Sequence, residues 1–319
     1  MSGKTTLSKP KNPPTIGLVL GSGASRGWSH IGVIKALLKE GIEPDIICGA
    51  SVGAMIGASY LAGNLNKLEE WVLGSTRKDV LKFFNIKFSQ AGFVDKQRMS
   101  RFLHDYVAGE EVQIDHLPKP YAAVATNLDN GREAWLRTGA LAESVRASMA
   151  LPGLFPAVRL NHRWLVDGGL VNPVPITTAH ALGADMVIAV NLNSDIVGKH
   201  SRKAGVETVT EAGPGAEENE SVLGNLKQAA KEYSNSIFAN HDKQNETPRL
   251  FFAITNSINI VQDRITRSRL AGDPADVMIS PQLSHIGMLE FHMAAEAIKE
   301  GERCVSNALE QIHKVIRTF

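Results

Sequence analysis

Three short blocks of small residues carry the chemistry-bearing side chains of this sequence. Gly49-Ala50-Ser51-Val52-Gly53 sets one serine between glycines two positions away on either side. A sharp strand-to-helix turn lifts such a serine above a sheet, and the glycines let the backbone crowd there without clash. At the start of a helix, free N–H groups and the helix dipole favour developing negative charge, so Ser51 is a candidate nucleophile. The plainer alternative is a tight turn with a helix-capping serine. Gly21-Ser22-Gly23-Ala24-Ser25-Arg26-Gly27 frees several backbone N–H groups to converge on an anion. Either a nucleotide phosphate or the oxyanion of an acyl transfer suits such a loop. A dinucleotide fingerprint wants glycine where Arg26 stands, and a Walker-type loop wants Gly-Lys-Ser/Thr, so the oxyanion suits it better. Arg26 either anchors the loop, attracts an anionic head group or is simply a solvated charge. Asp167-Gly168-Gly169 follows a short apolar run and sets a carboxylate at a strand end, the rim where α/β sites assemble. An ordinary acidic turn is the alternative there.

The elements around these blocks are legible from periodicity. Residues 15–20 and 45–48 are short apolar runs that read as buried strands. Residues 28–40 have helical spacing and stop at Gly41, and a helix of small residues runs from the Ser51 turn to about Ala62. The alternation of strand, turn and helix predicts an α/β fold with a mostly parallel sheet. Residues 65–108 read as mostly helical and aromatic-rich, either a cap over a site or core. Strands are predicted at 121–127, 164–166, 186–192 and 276–280, with a hairpin signal at Asn130-Gly131 leading into 133–136. Helices are predicted at 141–150, 176–182 and 289–316.

The chain has 319 residues, ample for a large core, and a formal charge of +1 from 34 basic and 33 acidic residues. No global basic field exists, so nucleic acid is not an expected partner. Two cysteines exclude a disulfide scaffold, and neither zinc-type spacing nor a calcium loop is present, so no metal or cofactor is expected. Residues 1–14 are polar, without the apolar core of a secretory signal, and no apolar run is long enough to span a membrane. The expectation is a soluble, cytoplasmic protein, with peripheral membrane contact left open. Residues 194–220 read as a polar insertion, and 222–238 as an amphipathic helix, either packed on the body or touching a membrane.

A serine nucleophile needs a base. The usual relay adds a histidine, and none of the ten here lies in an evident catalytic turn. The residues alone therefore leave three readings open: a Ser-His-Asp hydrolase, a non-catalytic module holding an anion or acyl chain, and a nucleotide site.

The two glycine-rich blocks, Ala147-Ser148 with Pro152, and Asp167-Gly168-Gly169 together resemble, in order and approximate spacing, the patatin-like phospholipases. The resemblance covers roughly residues 15–191. Residues 264–274 (RITRSRLAGDP) resemble the bacterial branch related to neuropathy target esterase. The resemblance implies a three-layer fold with a central, mostly parallel sheet flanked by helices. It also implies a Ser-Asp dyad without histidine, with Ser51 as nucleophile and Asp167 as base, and oxyanion N–H groups from Ser22, Gly23 and Ala24. Gly49 and Gly53 would shape the elbow, with Gly21, Arg26, Gly27, Gly168 and Gly169 in support. Ser22 and Ala24 depart from the family's commoner run of glycines, which implies a tighter hole. The implied substrate is a lipid or other acyl ester. The expected organisation is a flexible N-terminus (1–14), a catalytic unit (15–193), the polar insertion with its amphipathic helix (194–245), and a C-terminal strand and helices (246–319) completing the same domain.

Overall fold

Eight short segments rich in apolar or β-branched residues become strands. In chain order they are β1 (Ile16–Leu20), β2 (Ile46–Ala50), β3 (Tyr121–Asn127), β4 (Glu133–Leu136), β5 (Val158–Leu160), β6 (Arg163–Asp167), β7 (Met186–Val190) and β8 (Val277–Ile279). The structure, a computed structural model, describes residues 13–79, 96–195 and 250–319. The strands form one sheet in the order β5-β6-β3-β2-β1-β7-β8, with β4 also paired to β3. The run β3-β2-β1-β7-β8 is parallel, and the pairs β3–β4, β3–β6 and β5–β6 are antiparallel. This is the α/β architecture expected from the alternating pattern.

The helices are α1 (Ser29–Lys39), α2 (Val52–Leu61), α3 (Leu65–Gly74), α4 (Lys96–Tyr106), α5 (Leu141–Ser148), α6 (Ile176–Ala181), α7 (Leu250–Leu270) and α8 (Ala294–Ile316). Both faces of the parallel strands are covered. Leu18, Leu20 and Ile47 join the main core with residues of α1, α2 and α8, whereas Val19, Ile46 and Cys48 join a second cluster with Ile176 and Ala179 of α6. Double-sided burial is why these strands read as continuous apolar runs. Helix α8 lies along α1, and two glycines set the approach. A Cβ on Gly32 would stand 2.0 Å from the Ile298 carbonyl oxygen, and one on Gly301 would stand 2.1 Å from that of Ser29.

Two elements were not foreseen. One is β5, which turns into β6 through Asn161 and His162. Both have positive φ (49° and 62°), the two-residue geometry that suits strand twist, but without the glycine that usually announces it. Helix α7 escaped because its pattern is inverted. Asn259, Gln262, Asp263 and Thr266 are buried, while Ile254, Ile260 and Val261 are exposed. An apolar stripe cannot be read from such a helix. The amphipathic segment at 222–238, nearly all of the polar insertion and residues 1–12 of the N-terminus lie outside the described residues. Among the described residues no helix is long and apolar enough to cross a membrane.

Candidate active site

Ser51 follows β2 directly and precedes α2, at φ 57° and ψ −127°. A non-glycine residue with positive φ is strained and persists only where neighbours over-determine it. Gly53 is one such neighbour, because a Cβ there would stand 2.0 Å from the Leu20 carbonyl oxygen. Gly49 is equally closed in, with the Ala54 nitrogen 2.4 Å from its Cβ position. Ser148, at the end of α5, is another. Its hydroxyl accepts from the Ser51 N–H at 2.9 Å and donates to the Val124 carbonyl at 2.6 Å, tying the elbow to β3. Ser148 belongs to the Ala147-Ser148 block, which the sequence marked without giving it a role.

The structure brings Ser51 and Asp167 together: the Ser51 hydroxyl donates to Oδ2 of Asp167 at 2.6 Å. Asp167 ends β6 and is only 1% exposed. Its backbone is fixed on both sides, the N–H donating to Ala150 O at 3.0 Å and the carbonyl accepting from Thr126 Oγ1 at 2.7 Å. Its Oδ1 accepts from the Gly169 N–H at 2.7 Å, and Gly168 and Gly169 start a single 3-10 turn there. Burial pushes the carboxyl up to about 6, against the opposing pull of the Ser51 hydroxyl and the Gly169 N–H. The result is an ionised group at neutral pH that is more basic than an exposed carboxylate.

The glycine-rich loop leaves β1 beside this pair. The Gly21 N–H donates to Val190 O at 3.1 Å. Ser22 departs from the expectation of three loop donors, since its N–H is already given to Pro173 O at 2.8 Å and its buried hydroxyl has no hydrogen-bond partner among the described residues. Ala24 has φ 49° and opens a 3-10 helix that runs through Gly27 to Trp28. Among the described residues nothing accepts from the N–H groups of Gly23 or Ala24. Ala24 and Ser51 line one cleft, of about 60 Å³. Its walls include Trp28, Met55, Trp71, Phe102, Leu154 and Phe155, and among the described residues Asp167 is its only charged group.

Arg26 is neither a solvated charge nor a head-group receptor. It is 2% exposed, and its guanidinium donates to Gly23 O at 3.3 Å, Leu192 O at 3.5 Å and Asn259 Oδ1 at 3.0 Å. Burial pushes it down to about 10, with Asp195 opposing, so it stays cationic at neutral pH. Asn259 and Gln262 of α7 were missed with their helix. No histidine among the described residues bonds to Ser51 or Asp167. His30 is buried with Nε2 2.8 Å from Gly21 O, and His180 lies against Ala184 O. Among the described residues no group of three or more His, Cys, Asp or Glu side chains could hold a metal ion.

The sequence model of the patatin-like phospholipases matches residues 18–180. An NTE family protein of Mycobacterium tuberculosis is 32% identical over 93% of this chain and 92% of its own length. Human patatin-like phospholipase domain-containing protein 6 is 34% identical over 56% of this chain, a stretch that makes up 13% of the human protein. Among solved structures, VipD from Legionella pneumophila overlaps 93% of this chain and 67% of its own, with a TM-score of 0.46 and 15% identity. Half of the chain thus falls under one family model and nearly all of it aligns with a relative from the same group. The chain belongs to the patatin-like phospholipase family, alongside the NTE proteins.

Proposed function

We propose that this protein is a serine lipid acyl hydrolase working through a Ser51–Asp167 dyad and an acyl-enzyme. The observation that carries the reading is the direct 2.6 Å hydrogen bond from the Ser51 hydroxyl to a buried carboxylate. Ser51 Oγ attacks the acyl carbonyl while its proton passes to Asp167. The carbonyl oxygen becomes an oxyanion facing the N–H groups of Gly23 and Ala24, with Val52 at the helix start as a further donor. When the intermediate collapses, the departing alkoxide takes the proton from Asp167. Water then attacks the acyl-enzyme, giving its proton to the same carboxylate, which returns it to Ser51. The apolar cleft supports an acyl chain as the bound group. The chain also excludes water, which further raises the basicity of Asp167. The name of the human relative, a phospholipase, agrees with ester hydrolysis.

The test is covalent labelling with a long-chain organophosphonate, alongside hydrolysis of a lysophospholipid and a simple acyl ester. Label on the Ser51 peptide together with ester turnover is the expected result. A protein that stays unlabelled and opens no ester is a binding module instead. Loss of activity on replacing His180 or His292 would point to a histidine relay.

A further inference from the structure

We propose that Arg26 and Asn259 form a positioning pair through which helix α7 sets the direction of the Ala24 N–H. The proposal rests on the hydrolase reading above and adds to it a determinant outside the cleft. In a trans peptide the C=O of one residue and the N–H of the next point in opposite directions. The Gly23 carbonyl is held from behind by two donors of one residue, the Arg26 backbone N–H at 3.2 Å and its Nε at 3.3 Å. Fixing that carbonyl turns the Ala24 N–H the other way, on the residue that lines the cleft with Ser51. Ala24 needs such a hold, because its φ of 49° is costly for a residue with a Cβ.

The guanidinium is itself held by α7. Asn259 accepts from its terminal nitrogen at 3.0 Å, and Leu192 O from the other at 3.5 Å. The same stretch after β7 is tied to α7 a second time, by Asn193 Nδ2 donating to Gln262 Oε1 at 3.2 Å. Leu192 also closes the space behind the loop, since a Cβ on Gly23 would meet its side chain at 2.6 Å. These contacts account for two of the polar residues that α7 buries. Asn259 serves the loop and Gln262 the stretch after β7, and the planar fork of Arg26 carries the constraint from α7 to Gly23. Neither Arg26 nor Asn259 lines the cleft, so both act on substrate only through the Gly23–Ala24 peptide.

The experiment compares the full chain with Arg26→Lys, Arg26→Gln, Asn259→Ala and the Gln/Ala double variant. Ester hydrolysis is measured with melting temperature and with affinity for an alkyl trifluoromethyl ketone and the matching methyl ketone. Misaligning an oxyanion donor affects the transition state alone, so kcat should fall about tenfold in Asn259→Ala and about 100-fold in Arg26→Gln, with KM within about twofold. Arg26→Lys, which keeps the charge but loses the fork, should fall between the wild type and Arg26→Gln. Trifluoromethyl ketone affinity should fall in step with kcat, while methyl ketone affinity holds. The double variant should be no slower than Arg26→Gln, because Asn259 works through Arg26. Unchanged kcat in Asn259→Ala, a loss confined to KM, or additive losses in the double variant would each overturn the proposal. Should Arg26→Gln fail to fold, Asn259→Ala alone decides. A wild-type chain that opens no ester overturns the hydrolase reading itself, whereas an active wild type with unaffected variants overturns only the positioning role.

Discussion

Ser51 and Asp167 lie 116 positions apart, yet the hydroxyl of one is 2.6 Å from the carboxylate of the other, with no ring between them. Under the proposed dyad each member is indispensable. Ser51→Ala and Asp167→Asn should each cut kcat/KM for an acyl ester by at least about 10³-fold while far-UV circular dichroism stays native. His180→Ala and His292→Ala should stay within about twofold of wild type, because neither side chain touches the pair. Steady-state kinetics on the four variants decides.

Titration of Asp167 should shape both activity and stability. The base must be ionised, so kcat/KM should rise with pH through about 6. For stability the sign is opposite. Between its ordinary 3.8 and about 6 the folded chain keeps a proton that the unfolded chain has released, so this group's contribution falls as pH rises across that window. The full cost of burying the ionised form, about 3 kcal/mol, is present above pH 6. Asp167→Asn removes it. Urea unfolding should show the variant gaining on wild type from pH 4 to 6 and holding a constant lead above that.

Ser148→Ala should weaken the elbow from behind. It leaves the Ser51 N–H and the Val124 carbonyl without their shared partner. The expected loss is about 2 kcal/mol in chemical denaturation, with kcat lowered about tenfold as Ser51 drifts from Asp167.

Gly53→Ala should fail for a steric reason. Its Cβ would fall 2.0 Å from the Leu20 carbonyl oxygen, so β1 and α2 must separate, at a cost of about 3 kcal/mol or more. Gly74→Ala, at the open end of α3, meets nothing within 4 Å among the described residues and should gain up to about 1 kcal/mol. Melting temperatures of the two variants should move in opposite directions.

The cleft can be shortened without touching the dyad. Leu154→Trp adds bulk to its apolar wall and should shift preference toward shorter acyl chains. A series of p-nitrophenyl esters of rising chain length measures it. An unchanged profile would place the acyl group elsewhere.

How much of this was legible depended on what each residue had to satisfy. The elbow and the strands beside it announce themselves, because a crowded turn demands glycine and two-sided burial demands unbroken apolar runs. Asp167 was legible as a strand-end carboxylate, but only the tertiary fold sets it against Ser51. The loss of Ser22 as a donor was illegible, since its N–H answers to Pro173, which no local pattern links to it. Helix α7 was hidden for the opposite reason to the strands: its buried side chains include polar ones that hydrogen-bond Arg26, Asn193 and the helix itself, so hydropathy runs against burial.

The glycine contact between α1 and α8 matters for the order of assembly. Helix α1 extends from the loop that faces the nucleophile, and the helix that seals it comes much later in the sequence. Until residues 294–316 dock, the groove at Gly32 is empty and apolar surface of the first helix stays wet. The loop beside Ser51 therefore gains its full backing only once α8 has docked on α1, so whatever loosens that distant helix pair loosens the site as well.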